Sequence, residues 1–415
     1  MNVGDVIEYT LEKTTEIPWD RDSMEAVVPP SHGNLNYVYR VWDGKGHSIY
    51  IKQAGSEARI SKDIKPSRDR NRLESEILML EDQYAPGMVP HVYFFDTVMC
   101  ACGMEDCSDY AVMRDAMLKH ETFPGFAEDV STFMVNTLLL SSDVVMDHKE
   151  KKELVKKFIS PDLCDITEKL VLMEPYMDLY NRNNVYAPNR DFVKKELYED
   201  EALHLEVSKL KFRFMTDAQA LLHGDLHTGS IFIRQDSTKI FDCEFGTYAP
   251  MGYDVGNVVA NLIFAYDNGL STDDGPFCDW CLKTIEETVD LFIEKFGRKY
   301  DEAVTEPMAK VKGFKEWYFD GILKDTAGYA GTELHRRTVG MANVVDVTTI
   351  QDEKKRLLAE RINILAGKEY IMNQGAFRTG ADYVAAVLRQ RKQPKRPFRH
   401  GWDIRDDTGL VEKEA

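Results

Sequence analysis

The stretch LLHGDLHTGSIF, residues 221–232, sets two histidines and an aspartate inside an apolar frame. A buried carboxylate is costly unless it has partners or a task. An aspartate on such a loop can orient an attacking hydroxyl and accept its proton, which makes Asp225 the candidate catalytic residue. Further on, FDCEF sets Asp242 and Glu244 two apart at the expected end of a strand. Hard carboxylate oxygens at that spacing suit Mg²⁺, which bridges nucleotide phosphates. Lys52 ends the apolar run IYIK, where its charge would face α- and β-phosphates, and Glu74 on the following helix is its natural counter-charge. HGNLN, residues 32–36, brings Gly33, which lets the backbone approach a phosphate, and Asn34 and Asn36, which can donate to it. Together these four elements would transfer a phosphoryl group from ATP. Each alone has a plainer reading, because glycine and asparagine make ordinary turns and Lys52 with Glu74 is also the pattern of a surface pair. The plain readings weaken when all four stand in this order.

Such a site needs elements to hold it. YVYRVW and SIYIKQ flank DGKG, a hairpin signal. In residues 69–84, Leu73, Ile77 and Leu80 share one helical face. VPHVYFFDTVMCACGMED supplies two further strands, with Cys100 and Cys102 on one face. After residue 106 the pattern turns helical, except for SIFIRQDSTKIFD, a short hairpin with QDST at its turn. The fold class is α+β: a small β-rich N-terminal lobe, a larger mostly helical C-terminal lobe, and a cleft between them. The expected division is 1–106, then 107–375 with the catalytic loop and metal motif, then a tail, 376–415. The basic, proline-broken segment 389–400 reads as a solvated arm or a strap over an acidic body.

Composition narrows the function. With 415 residues and 43% hydrophobic content, the chain can bury a large core. A net charge of −18 argues against a nucleic-acid partner, since a phosphate footprint needs a basic surface. The opening residues are acidic and lack a long apolar run, so neither a secretory signal nor a membrane partner is expected. Seven cysteines in no disulfide-like framework point to a reducing, cytoplasmic setting. Cys278 and Cys281 form a CxxC on a helical stretch, where ordinary packing is a better reading than zinc.

HGDLHTGSIF followed by FDCEF resembles the catalytic loop and metal motif of the aminoglycoside phosphotransferase and choline kinase group. The detail is similar to one family in it, the 5-methylthioribose kinases, which share HTGS where broader members carry asparagine in place of Ser230. GNLNYV, IKQA, SPDLCDITEKL, PMGYDVGNVVANL and ELHRRTVGMA also resemble that family, from about residue 30 to about 370. The resemblance implies a protein-kinase-like fold and transfer of the ATP γ-phosphoryl to the 1-hydroxyl of 5-methylthioribose, a step of methionine salvage. It implies that Asn36 and Lys52 contact phosphates, and that Glu105, Asp106 and Cys107 form the linker whose backbone holds adenine. By the same likeness Asp225 is the catalytic aspartate, Asp242 and Glu244 bind Mg²⁺, and Arg336 and Arg337 face the sugar.

Adjacent arginines on a helix diverge by about 100°, so one could meet the substrate while the other steadies it. Guanidinium donors suit hydroxyl-rich or phosphorylated sugars; apart from the resemblance, a surface pair would be the better reading. His227 reads as a loop support rather than a base, because Asp225 fills that role. The chain departs from the family in three places. Lys65 precedes Pro66 where a lid tryptophan is expected, Asn343 stands for a histidine, and Cys243 replaces a proline within the cofactor motif and is expected to point away. A lysine prefers a polar or anionic group to a methylthio group. The alternatives are therefore a kinase of another 5-substituted pentose such as 5-deoxyribose, or a non-catalytic nucleotide-binding homologue. The expected partners are a sugar and ATP, with a homodimer as the expected assembly if the chain self-associates.

Overall fold

The computed structural model describes residues 2–29, 36–54 and 69–392. Gly33, Asn34, Lys65 and Pro66 lie outside the described residues, as does the side chain of Asn36.

The first hairpin forms where the sequence places it. Strand β2 (Asn36–Trp42) pairs antiparallel with β3 (Ser48–Ala54). At the turn the Asp43 carboxylate accepts the N–H groups of Lys45 and His47, each at 2.9 Å. An aspartate that binds its own following backbone stabilises such a turn. With β1 (Glu25–Val27), β4 (Val92–Asp96) and β5 (Ala101–Glu105), these strands form an antiparallel sheet in the order β1-β2-β3-β5-β4. The sequence gives no sign of β1, because three residues are too few to show a period of two. The alternation expected for Cys100 and Cys102 does not hold. Cys100 sits in the turn before β5 with φ +47°, and that left-handed step breaks the register.

The helix Val3–Lys13 opens with a reciprocal capping box between Asn2 and Asp5. It buries Val6 against Tyr39, Val41, Ile49 and Ile51. On the other face lies the helix Asp69–Tyr84, with Leu73 and Ile77 fully buried and Leu80 partly so. That helix therefore belongs to both lobes, since Leu73 and Ile77 are part of the large core of the helical lobe.

In the helical lobe two small strand pairs clamp the functional loops. β7 (Ala220–Leu221) pairs with β10 (Tyr248–Ala249), and β8 (Ile231–Arg234) pairs with β9 (Ser237–Ile240). β6 (Ala111–Val112) adds to β8 as a third strand. Residues 222–230 and 241–247 are thus tied at both ends. The helices Gly252–Ser271, Phe314–Val339 and Glu353–Met372 form the centre of the lobe. This is the two-lobe, protein-kinase-like arrangement expected from the sequence. Cys278 and Cys281 are buried on the helix Gly275–Ala303, and all seven cysteines are free. The last described helix, Gly380–Lys392, packs Tyr383 and Val387 into the lobe. No described helix is long and apolar enough to cross a membrane.

Candidate active site

Three groups from three elements meet at the cleft. Lys52 Nζ donates to Glu74 Oε1 at 2.7 Å and to Asp242 Oδ1 at 2.8 Å. Burial alone would lower the Lys52 pKa; Asp242, Glu74 and Glu244 outweigh it and hold the ammonium well above its ordinary value. Asp242 adopts φ +66° in the turn after β9, rather than alternating with Glu244 along a strand. This conformation carries Asp242 towards Lys52. Asp242 is half exposed and Glu244 nearly buried.

Burial and the neighbouring Asp242 push the Glu244 carboxyl up to about 7, against the pull of Lys52. Its Oε2 is buried with no hydrogen-bond partner, and the nearest cation, Arg70 Nη1, stands 3.9 Å away as an ion pair. A buried acceptor without a hydrogen bond is costly, and a hard cation would satisfy it more closely than Arg70 does. The donor set therefore fits Mg²⁺. Cys243 takes no part, since its thiol donates to the Glu74 carbonyl at 3.5 Å.

The linker is held by its side chains. Glu105 accepts from Lys239 Nζ at 2.7 Å and from the His91 N–H at 3.0 Å. Asp106 accepts from Arg40 Nε at 2.7 Å and from the Ser108 N–H at 2.9 Å. Cys107 is buried and its carbonyl accepts from the Tyr110 N–H. With the carboxylates engaged in this way, any base-reading here falls to the backbone.

The catalytic loop is fastened from beneath. Asp254, in the first turn of its helix, accepts the His223 N–H at 2.7 Å and the Gly224 N–H at 3.1 Å. Burial pushes its carboxyl up to about 6, against these hydrogen bonds and His223. Gly224 has φ +84°, and a Cβ there would run into the Phe245 carbonyl. His223 Nε2 lies 2.9 Å from the Phe241 carbonyl, while its Nδ1 receives the Asp225 N–H at 3.3 Å. Those partners assign the proton to Nε2.

Asp225 sits among cations. Arg336 donates to its Oδ1, Arg337 lies 3.6 Å from the same oxygen, and His227 Nε2 is 3.3 Å from Oδ2. Burial would raise its pKa, but Arg336, His227 and Arg337 together hold it well below the ordinary carboxylate range. His227 Nδ1 meets the Ser230 hydroxyl at 3.1 Å. Burial lowers the His227 pKa, with Arg114 and Arg337 adding to it and Asp225 opposing. The neutral ring thus takes a hydroxyl proton on one side and points N–H at Asp225 on the other.

The division of labour expected between the twin arginines is absent. Neither steadies the other, because buried Glu333 holds both, through Arg336 Nε and through Arg337 Nε at 3.3 Å. Glu333 escapes a reading of motifs, although its spacing three and four residues before the arginines is a helical contact signal. Asn343 closes the same helix, donating to the Thr338 carbonyl at 2.9 Å and the Gly340 carbonyl at 3.2 Å. Beside Asp225 and Arg336 opens a pocket walled by Ile166, Leu170, Val171, Phe245 and Met341. Thr167–Val171 forms a π-helical turn in that wall, an irregularity found often at functional sites.

Two lobes joined by a lysine–aspartate bridge, with a held aspartate and a carboxylate pair in the cleft, define a phosphotransferase. The phosphotransferase enzyme family matches residues 160–275, the segment holding Asp225, Asp242 and Glu244. The methylthioribose kinase of Bacillus pumilus is 36% identical over 363 residues, 87% of this chain and 90% of that one. That of a Geobacillus species is 37% identical over 344 residues, 82% of this chain and 84% of that one. The chain belongs to the methylthioribose kinase family. Among solved structures, a choline kinase from Cryptosporidium parvum aligns with a TM-score of 0.49 at 11% identity, covering 94% of this chain and 96% of that one.

Proposed function

We propose that this protein transfers the γ-phosphoryl of ATP to the 1-hydroxyl of methylthioribose. The observation that carries the sugar reading is the apolar wall of Ile166, Leu170, Val171, Phe245 and Met341 directly beside Asp225 and Arg336. A methylthio group needs apolar surface, and a sugar hydroxyl needs a carboxylate and guanidinium donors. This wall supplies the apolar contact that a lid tryptophan would otherwise give.

The residues act in distinct ways. Lys52 offsets charge on the nucleotide phosphates, and Glu74 fixes its direction. The backbone of Glu105, Asp106 and Cys107 receives adenine, and the resemblance of HGNLN to the family gives Gly33, Asn34 and Asn36 the phosphates as their partners. Asp242 and Glu244 would hold Mg²⁺, which when bound would supply positive charge against the nucleotide phosphates. Asp225 orients the hydroxyl, whose oxygen forms the new bond to phosphorus as the bond to the β-phosphate breaks. Its depressed pKa makes it a weak base while the arginines lie on it. We infer that Arg336 and Arg337 turn to the sugar and the moving phosphoryl, and that Asp225 then takes the proton.

Intact Lys52, Asp225, Asp242 and Glu244 argue against a non-catalytic homologue. The lobe boundary near residue 106 is supported by the linker geometry, and a cytoplasmic setting by the free cysteines. The test is ATP consumption with methylthioribose, 5-deoxyribose and ribose. Clear turnover of methylthioribose at the highest kcat/KM is expected; turnover of another pentose without it overturns the choice of sugar.

A further inference from the structure

Arg114 belongs to no motif described above, yet it ties the catalytic loop to the helix that leads to Glu333. It lies on the short helix Met113–Met117, with its side chain largely buried. Its Nε donates to the Thr228 hydroxyl on the catalytic loop at 3.2 Å. Its Nη2 donates to Asn261 Oδ1 at 2.7 Å, and its Nε lies 3.4 Å from Asp346 Oδ2. Asn261 passes the connection on, with its amide nitrogen 3.4 Å from Glu333 Oε1. Glu333 holds Arg336 and Arg337.

The loop is shaped to receive this guanidinium. A Cβ on Gly229 would stand 3.1 Å from Arg114 Nη1 and 2.9 Å from His227 Cε1. Carbon atoms that close must displace something. The glycine of HTGS thus seats Arg114 and His227 against the loop.

We propose that Arg114 is a positioning residue for phosphoryl transfer, which locks the catalytic loop and the Glu333–arginine cluster into one register around Asp225. One guanidinium has enough donors in a fixed fork to bind three partners from different elements; a lysine has a single compact charge. Through Thr228 and Gly229 it sets His227, and through Asn261 it sets Glu333. The proposal rests on the reading of Asp225 as the catalytic aspartate.

The experiment compares Arg114→Gln, Arg114→Lys and Thr228→Val with the wild type. Readouts are kcat, KM for the best sugar, nucleotide affinity, and an NMR titration of the His227 ring. Four charged groups face that ring: Asp225, Asp242, Arg114 and Arg337. Arg114→Gln should lower kcat about 10²-fold with nucleotide affinity unchanged, since misplacing reacting groups by an ångström costs that much. The His227 titration should move upward, because a neighbouring positive charge is gone. Arg114→Lys should restore the titration and only part of kcat. Thr228→Val removes only the bond to the loop and should lower kcat several-fold with KM for ATP unchanged. If Arg114→Gln does not fold, Thr228→Val decides. Folded Arg114→Gln or Thr228→Val with wild-type kcat would overturn the proposal, as would an unmoved His227 titration in Arg114→Gln. Should no sugar be phosphorylated by the wild type, the proposed function fails, while the titration still reads whether Arg114 acts on the loop.

Discussion

Lys52 and Asp242 stand 190 positions apart and meet at 2.8 Å, Nζ to Oδ1, across the cleft. The same ammonium is bonded to Glu74, which is buried. One charge therefore joins the small sheet, its helix and the metal motif. Lys52→Met leaves two carboxylates without their cation. It should lower kcat/KM for ATP by about 10²–10³-fold, the usual cost of one preorganised charge donor. Lys52→Arg keeps the charge but not the geometry, so it should fold normally and stay poorly active. Thermal melts beside initial rates separate the two effects. Wild-type kcat/KM in Lys52→Met would exclude the phosphate role.

Asp225 meets Arg336, Arg337 and His227, and has no contact with Lys52 or with the linker 105–107. Asp225→Asn should leave ATP affinity within about twofold and lower kcat by about 10²–10⁴, the range for loss of a positioned general base. Calorimetric titration with a non-hydrolysable ATP analogue, together with rates, checks both halves. Retained turnover would mean that another group takes the proton.

Gly224 adopts φ +84° against the Phe245 carbonyl. A left-handed backbone costs other residues about 1–2 kcal/mol, and the added Cβ must also push the loop away. Gly224→Ala should therefore lower both the melting temperature and kcat. A fully active, equally stable variant would show that the loop tolerates displacement.

Much of this site was legible because its parts are local. DGKG marks its own turn, and IYIK with the following helix brings Lys52 and Glu74 together by ordinary strand and helix spacing. The residues that hold the catalytic loop were harder to see. Asp254 and Asn261 lie in PMGYDVGNVVANL, which the family resemblance marks without giving either residue a role, and their partners are 31 and 72 positions away. Only the oddity of polar groups on a buried helix signals them. Arg114 gives no such sign, since its partners come from three distant elements. Cys100 was misread because a single left-handed residue in a turn leaves no periodic trace.

His335 is fully buried, with Nδ1 3.0 Å from the Tyr176 hydroxyl and Nε2 2.9 Å from the Ile364 carbonyl. Burial, with Lys368 adding, brings its pKa down from 6.5 to about 4, against the Ile364 carbonyl. Between those values the unfolded chain binds the proton and the folded one does not. Stability therefore falls as pH drops from 6.5 to about 4, in total by about 3 kcal/mol at 1.36 kcal/mol per decade. Urea midpoints at pH 7 and pH 5 should differ more in the wild type than in His335→Gln. Equal pH dependence in both would place the proton uptake on other groups.

Leu170 tests whether the apolar wall reads the 5-substituent. It faces the pocket beside Asp225 and is only partly buried, so a polar replacement should cost little folding stability. Leu170→Asn keeps the branched outline in a smaller side chain and puts an amide where the methylthio group would lie. A contact of this kind is worth about 1–3 kcal/mol in discrimination. The ratio of kcat/KM for methylthioribose to that for ribose should then fall by about tenfold or more, and methylthioribose itself should carry the loss. Ribose presents a hydroxyl at that position and should be used as well as before, or better. An equal drop for both sugars would mean that Leu170 shapes the catalytic loop and that the methylthio group lies elsewhere. A fall confined to methylthioribose would tie the sugar preference to the π-helical turn Thr167–Val171, which carries Leu170 into the pocket.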